Sequence, residues 1–137
     1  MQERAFDADA LDEAERAIGD GPVVMVNLLR FRDTPDYPDD FADARPDSPS
    51  GYYEGYVGAF RDASEQLGIV SELLYAGSRV HSLLAGPDDG WDEIAVVRYG
   101  SFSDLRRIIE SETYQQRAKP HHLAVVAQWR FFATRSH

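Results

Sequence analysis

WDEIAVVRYGSFSDLRRIIESETY, residues 91–114, is the stretch whose reading decides the fold. Ile94, Val96 and Val97 make Glu93 to Tyr99 apolar and β-branched enough for a largely buried strand, and Gly100 ends it. Ser101, followed three residues later by Asp104, has the spacing of a capping box with a shortened acid. Leu105, Ile108 and Ile109 then recur at helical spacing, so a helix starts here, with Arg106 and Arg107 facing water or an acidic partner.

Working outward towards the C-terminus, Lys119-Pro120 permits a fresh helical start but breaks a continuing helix, and Gln128 to Arg135 reads as an aromatic-rich strand. Upstream, GPDDG at 86–90 is dense turn chemistry. It joins the first stretch to GIVSELLYAGSRVHSLLAG, which reads as a strand with two unlike faces. Tyr75, Arg79 and His81 share one parity with Leu73, and Leu74, Ala76 and Val80 take the other. Before it, Tyr53, Tyr56, Val57, Phe60 and Leu67 follow helical spacing, and Gly68 stands where a C-cap glycine belongs.

Residues 32–50 carry four prolines and a heavy acidic load, which predicts a long mobile loop, either a solvated insertion or a lid or arm. Val23 to Phe31, VVMVNLLRF, is too apolar for a half-exposed strand and belongs at the centre of a sheet, with Asn27 needing partners in backbone or cavity. Phe6 to Ile18 forms a leading amphipathic helix capped by Asp7. Stripped of that helix, the order is βαββαβ, a ferredoxin-like α+β unit with a four-stranded antiparallel sheet covered by helices on one face. Its other face needs a cover, and a second copy is the cheapest one.

The chain of 137 residues fits a single domain spanning 1–137. It contains no cysteine, which removes disulfides and thiolate chemistry and fits a cytoplasmic setting. A formal charge of −10 argues against nucleic acid and anionic membrane surfaces. No apolar run nears the roughly 20 residues of a membrane span, and the acidic start is unlike a targeting segment. The clustered aspartates of 32–50 lack the glycine and terminal glutamate of a calcium loop, and no phosphate loop, dinucleotide fingerprint or nucleophile elbow occurs.

The ionisable side chains suggest a site. His81 beside Arg79 and Tyr75 is a candidate catalytic group: imidazole for proton transfer, guanidinium to hold a carboxylate or enolate, phenol to donate to an oxyanion. Asn27, Trp91, Arg98, Tyr114 and His121 are candidate ligand-binding residues. The competing account pairs Arg79 with an acid such as Glu93, leaves His81 at a rim, and has Trp91 pack the hairpin end with Asp92 as its cap. His121 and His122, being adjacent, point apart and form no metal clamp by themselves.

VVMVNLLRF, LLYAGSRV, the WDEIAVVRYGS step and the ESETYQQRAKPHHLAV tail together resemble a bacterial domain-of-unknown-function family of the dimeric α/β-barrel superfamily, over most of residues 22–134. The resemblance implies two ferredoxin-like protomers with their sheets face to face, each enclosing a pocket between sheet and helices. That superfamily hosts cofactor-independent monooxygenases, isomerases, haem-degrading enzymes and proteins without activity, so fold analogy leaves the reaction open. Family tails often place a histidine-arginine pair after the tyrosine, whereas Tyr114 here is followed by His121-His122. The expected function is a homodimer that binds a small aromatic or keto-acid-like molecule without a bound cofactor, as an oxygenase or isomerase. The alternative is a non-catalytic binding or structural dimer.

Overall fold

The computed structural model describes residues 6–137, so residues 1–5, the start of the acidic segment, lie outside the described residues. The elements run α1 (Ala8–Ile18), β1 (Val23–Phe31), α2 (Ser48–Ser50), a π-helical segment (Gly51–Tyr56), α3 (Val57–Leu67), β2 (Ser71–Ser78), β3 (Glu93–Tyr99), α4 (Phe102–Glu110), a second π-helical segment (Tyr114–Ala118), α5 (Lys119–Val125) and β4 (Val126–Thr134). The strands form one antiparallel sheet in the order β2-β3-β1-β4, the ferredoxin-like arrangement expected of the βαββαβ pattern.

The caps sit where the sequence placed them. Asp7 accepts from Ala10 N at 2.7 Å, and Ser101 Oγ accepts from Asp104 N at 3.1 Å. Gly68 closes α3 in the left-handed region at φ 67°, where a side chain would be strained. Arg106 ties the leading helix to α4 through Asp12 (2.8 Å) and Glu15 (2.9 Å), and reaches Glu110 at 3.2 Å.

Burial alternates along β1. Val23, Met25, Asn27 and Leu29 turn towards the helices, where Ala59 and Ala63 of α3 and Leu105, Ile108 and Ile109 of α4 meet them. Burying each large aliphatic side chain of this set stabilises the fold by about 1.5–3 kcal/mol. The opposite face also carries apolar side chains, and among the described residues no helix covers it. Register places Tyr75, Val96, Val26 and Phe132 in one row across the four strands, with Tyr75 57% and Phe132 51% exposed.

Two expectations are corrected. The strand read through Leu84 stops at Ser78, and residues 79–92 form a long loop whose Val80, Leu83 and Leu84 stand in solvent. Within the strand, a bulge between Leu73 and Tyr75 leaves Leu74 unpaired, so Leu73 faces the cavity side while Tyr75 points away from the helices. The acidic, proline-rich stretch 32–50 is not a free loop either. Its backbone is pinned to α5 by Arg32 N to Val125 O and Asp36 N to Ala124 O, both 2.8 Å, and Ser48–Ser50 already belong to helix.

Candidate functional site

A cavity of about 500 Å³ lies between the helix-facing side of the sheet and the π-segment, α3 and α4. Its floor follows from register. Ala76, Ala95, Asn27 and Phe131 form one row across the four strands, and the two alanines leave the space unfilled. Asn27 is fixed rather than mobile. Its Nδ2 donates to Ala95 O at 3.1 Å and its Oδ1 accepts from Trp129 Nε1 at 3.0 Å, so the amide meets both backbone and cavity.

The roof is aromatic. In the π-segment the N–H of Val57 donates to Tyr52 O, and the wider turn brings Tyr52, Tyr53 and Tyr56 to the cavity together. Tyr52 stacks on Tyr56 at 5.6 Å, and Phe60, Tyr99 and Trp129 complete the walls. Tyr56 is held from behind by the hydroxyl of Tyr114 at 3.0 Å. Tyr52 and Tyr99 have no hydrogen-bond partner for their hydroxyls among the described residues.

Burial raises all these phenols. It acts on Tyr52 and Tyr53 together with the negative charge of Glu93, on Tyr56 together with Tyr114, and on Tyr99 together with neighbouring tyrosines. Tyr114 is pushed up to about 12 by burial, partly offset by the Tyr56 hydroxyl. The cavity therefore offers neutral O–H donors at physiological pH. Arg61 on α3 supplies a cation to the lining, one turn before Glu65.

At one end of this roof the Tyr53 hydroxyl donates to Glu93 Oε2, while Ser78 donates to Oε1. Glu93 is 7% exposed and is the one buried carboxylate among the described residues. No ion pair reaches it there.

A second cluster fills the far side of the π-segment. His121 is fully buried, with Nε2 2.9 Å from Asp43 Oδ2 and Nδ1 2.6 Å from the Tyr37 hydroxyl. A carboxylate must face an N–H, so Nε2 carries a proton towards Asp43, and Nδ1 shares a hydrogen bond with the Tyr37 hydroxyl. This cluster anchors the acidic stretch and lies apart from the cavity lining. His122 points the other way, its ring tilted by 55° against Trp129 at 4.4 Å between centroids.

Of the residues singled out in the sequence, Asn27 lines the cavity and Tyr114 supports it from behind. His121 holds the acidic stretch. Tyr75 and Arg98 lie on the uncovered face: the bulge turns Tyr75 away, and Arg98 pairs in register with Val24, whose side chain also points from the helices. Arg79 and His81 follow the end of β2, with Arg79 Nε donating to Trp91 O at 2.7 Å rather than pairing with Glu93, and His81 exposed. Trp91 packs the end of the long hairpin under Arg130, and Asp92 Oδ2 accepts from Phe31 N at 2.8 Å. The trio of Tyr75, Arg79 and His81 is therefore not gathered into one site. Tyr53, Glu93, Trp129 and Arg61 were missed; the one available signal was a glutamate opening a run of β-branched, apolar residues. Among the described residues no three metal-ligating side chains converge, and no helix is long and apolar enough to cross a membrane.

Comparison of the sequence with protein-family models and with curated proteins finds no match. Two crystal structures of one protein of unknown function from Rhodopseudomonas palustris share the fold. The methylated form aligns over 97% of this chain and 93% of its own with 22% identity and a TM-score of 0.81, and the other form over 97% and 95% with 22% identity and a TM-score of 0.79. A dimeric protein of unknown function with a ferredoxin-like fold from Bacteroides fragilis is a looser match, at 11% identity over 83% of this chain and 95% of that one with a TM-score of 0.46.

Proposed function

We propose that the chain acts as a homodimer that binds a small aromatic molecule, of the aryl acid or aryl keto-acid kind, in the cavity under the π-segment. The observation that carries this is the cleft itself, about 500 Å³ lined by aromatic rings, a size and lining suited to a small ligand. Aromatic walls suit a planar ring, the hydroxyls of Tyr52 and Tyr99 suit an acceptor oxygen, and Arg61 suits a carboxylate. The reading needs no cofactor, and a cytoplasmic setting for it rests on the cysteine-free sequence.

Its test is a thermal-shift series with benzoate, phenylpyruvate, indole and, as a control, an aliphatic acid of similar charge. A fitting ligand at about 100 times its Kd adds about 2.7 kcal/mol, a rise of several degrees in Tm. Ala95→Leu, which fills the floor, is expected to remove the shift while keeping a cooperative melt. Equal shifts in that variant, or none in the wild type, sink the proposal.

The dimer rests on the bare sheet face, where Val26, Val96, Phe132 and Tyr75 make a contiguous apolar row. Sedimentation is expected to give the mass of two chains, and Val96→Asp, which places a charge in the centre of that row, the mass of one. A wild-type monomer at micromolar concentration contradicts the assembly.

A further inference from the structure

Glu93 is expensive where it stands. A carboxylate removed from water without a cation is costly even with hydroxyl donors. Both of its oxygens are engaged, one by Ser78 at the exposed end of β2 and the other by Tyr53, whose ring lines the cavity. Nothing in the packing of β3 asks for an acid at this position, since its register partners are Leu29 and Ser78. The carboxylate is thus joined to the cavity through one phenol and to the protein surface through one hydroxyl.

Building on the cavity reading, we infer that Tyr53 and Glu93 form a proton relay, and that the ligand class is an aryl ketone or aryl keto acid undergoing keto–enol isomerisation. The C–H bond next to the ligand carbonyl breaks and its proton goes to Tyr53 Oη, while the Tyr53 O–H bond breaks and that proton passes to Glu93 Oε2. The C–H electron pair becomes the C=C bond of an enolate, whose oxygen takes hydrogen bonds from the cavity phenols. Water then protonates the enolate oxygen, and Glu93 returns its proton to solvent at the Ser78 end, so nothing is oxidised or reduced. Tyr53 is the catalytic residue in this scheme, and Glu93 acts through it. A phenol raised by burial and by its carboxylate partner cannot serve as a free phenolate, which is why the relay needs the acid behind it.

The test follows deuterium uptake at the benzylic carbon of phenylpyruvate in D₂O by NMR, beside calorimetric binding of the same compound. Wild-type protein is expected to bind it and to accelerate exchange above buffer. Tyr53→Phe and Glu93→Gln are each expected to slow exchange about 10²-fold with Kd within about threefold, and Glu93→Asp to restore part of the rate. Loss of rate in Glu93→Gln at unchanged Kd, partly restored by Glu93→Asp, is a pattern that a purely structural role would not produce. Binding with exchange at the buffer rate overturns the relay and leaves the cavity reading standing. Failure to bind phenylpyruvate overturns the ligand class and the relay, and sinks the cavity reading only if benzoate and indole fail as well; an unchanged rate in Glu93→Gln overturns the assignment of Glu93.

Discussion

Gly55→Ala is expected to destabilise the protein by about 3 kcal/mol, although alanine is the better helix former by about 1 kcal/mol. A Cβ at Gly55 would overlap the imidazole of His121 at Nδ1, Cε1 and Cγ. The ring has nowhere to go. It is fully buried, Tyr37 and Asp43 hold its two nitrogens, and Phe41 and Tyr37 meet it edge-on at 5.1 and 5.4 Å. Relieving the overlap breaks at least one of those hydrogen bonds, adding the cost of an unpaired buried group to the cost of overpacking. Gly58→Ala gives the opposite sign from the same chemistry three residues on. Its Cβ would meet nothing within 4 Å, so propensity alone acts and the variant gains up to about 1 kcal/mol. Urea denaturation of the two variants checks the pair. Limited proteolysis adds a second reading, because losing the His121 anchor should expose 32–47 to cleavage. Equal stability for the two variants would show that the histidine does not fix the helix against the acidic stretch.

The same cluster shows what could be read in the sequence and what could not. The strand Glu93–Tyr99, the cap at Ser101 and the helix that follows are local facts, each fixed by residues a few positions apart, and the sheet order follows from their sequence of types. The anchoring of 32–50 depends on Tyr37 meeting His121, 84 residues away, and a run of aspartates and prolines carries no local sign of it. The reading of Tyr75, Arg79 and His81 as one strand face failed for a reason of geometry. The strand ends at Ser78, before Arg79, so the alternation that would align Arg79 and His81 with Tyr75 does not continue, and the unpaired Leu74 separates Tyr75 from Leu73, with which it was read. The cavity was anticipated in general position but not in its walls. Its space depends on Ala76 and Ala95 falling into register across β2 and β3, and its roof on a π-turn that aligns Tyr52, Tyr53 and Tyr56 where helical spacing makes a core stripe. Asn27 was legible because an amide inside VVMVNLLRF has to be answered by something, and here Ala95 and Trp129 answer it.

Acid is expected to weaken the fold through His122 in particular. Burial, with Arg32 and Lys119 adding positive charge nearby, pushes its imidazole down to about 4. An unfolded histidine titrates near 6.5. Between these values the unfolded chain takes up a proton that the folded chain refuses, so stability falls as pH drops from about 6.5 to about 4 and is flat for this group above 7. Each pH unit is worth about 1.4 kcal/mol, which makes the full loss about 3 kcal/mol. Asp43, which burial alone would raise, is instead held below its ordinary value by His121 and Arg45, so its own contribution is lost at lower pH than that of His122. The variant that isolates the effect is His122→Phe. It keeps a ring against Trp129, has a small adjoining cavity of about 20 Å³ to relax into, and cannot titrate. Denaturation at pH 7.5, 6, 5 and 4.5 should find the wild type losing stability steadily below 6.5 and the variant losing much less over the same range. Parallel slopes in the two proteins would place the acid sensitivity elsewhere and would mean that His122 is hydrated enough in the fold to accept its proton near the ordinary value.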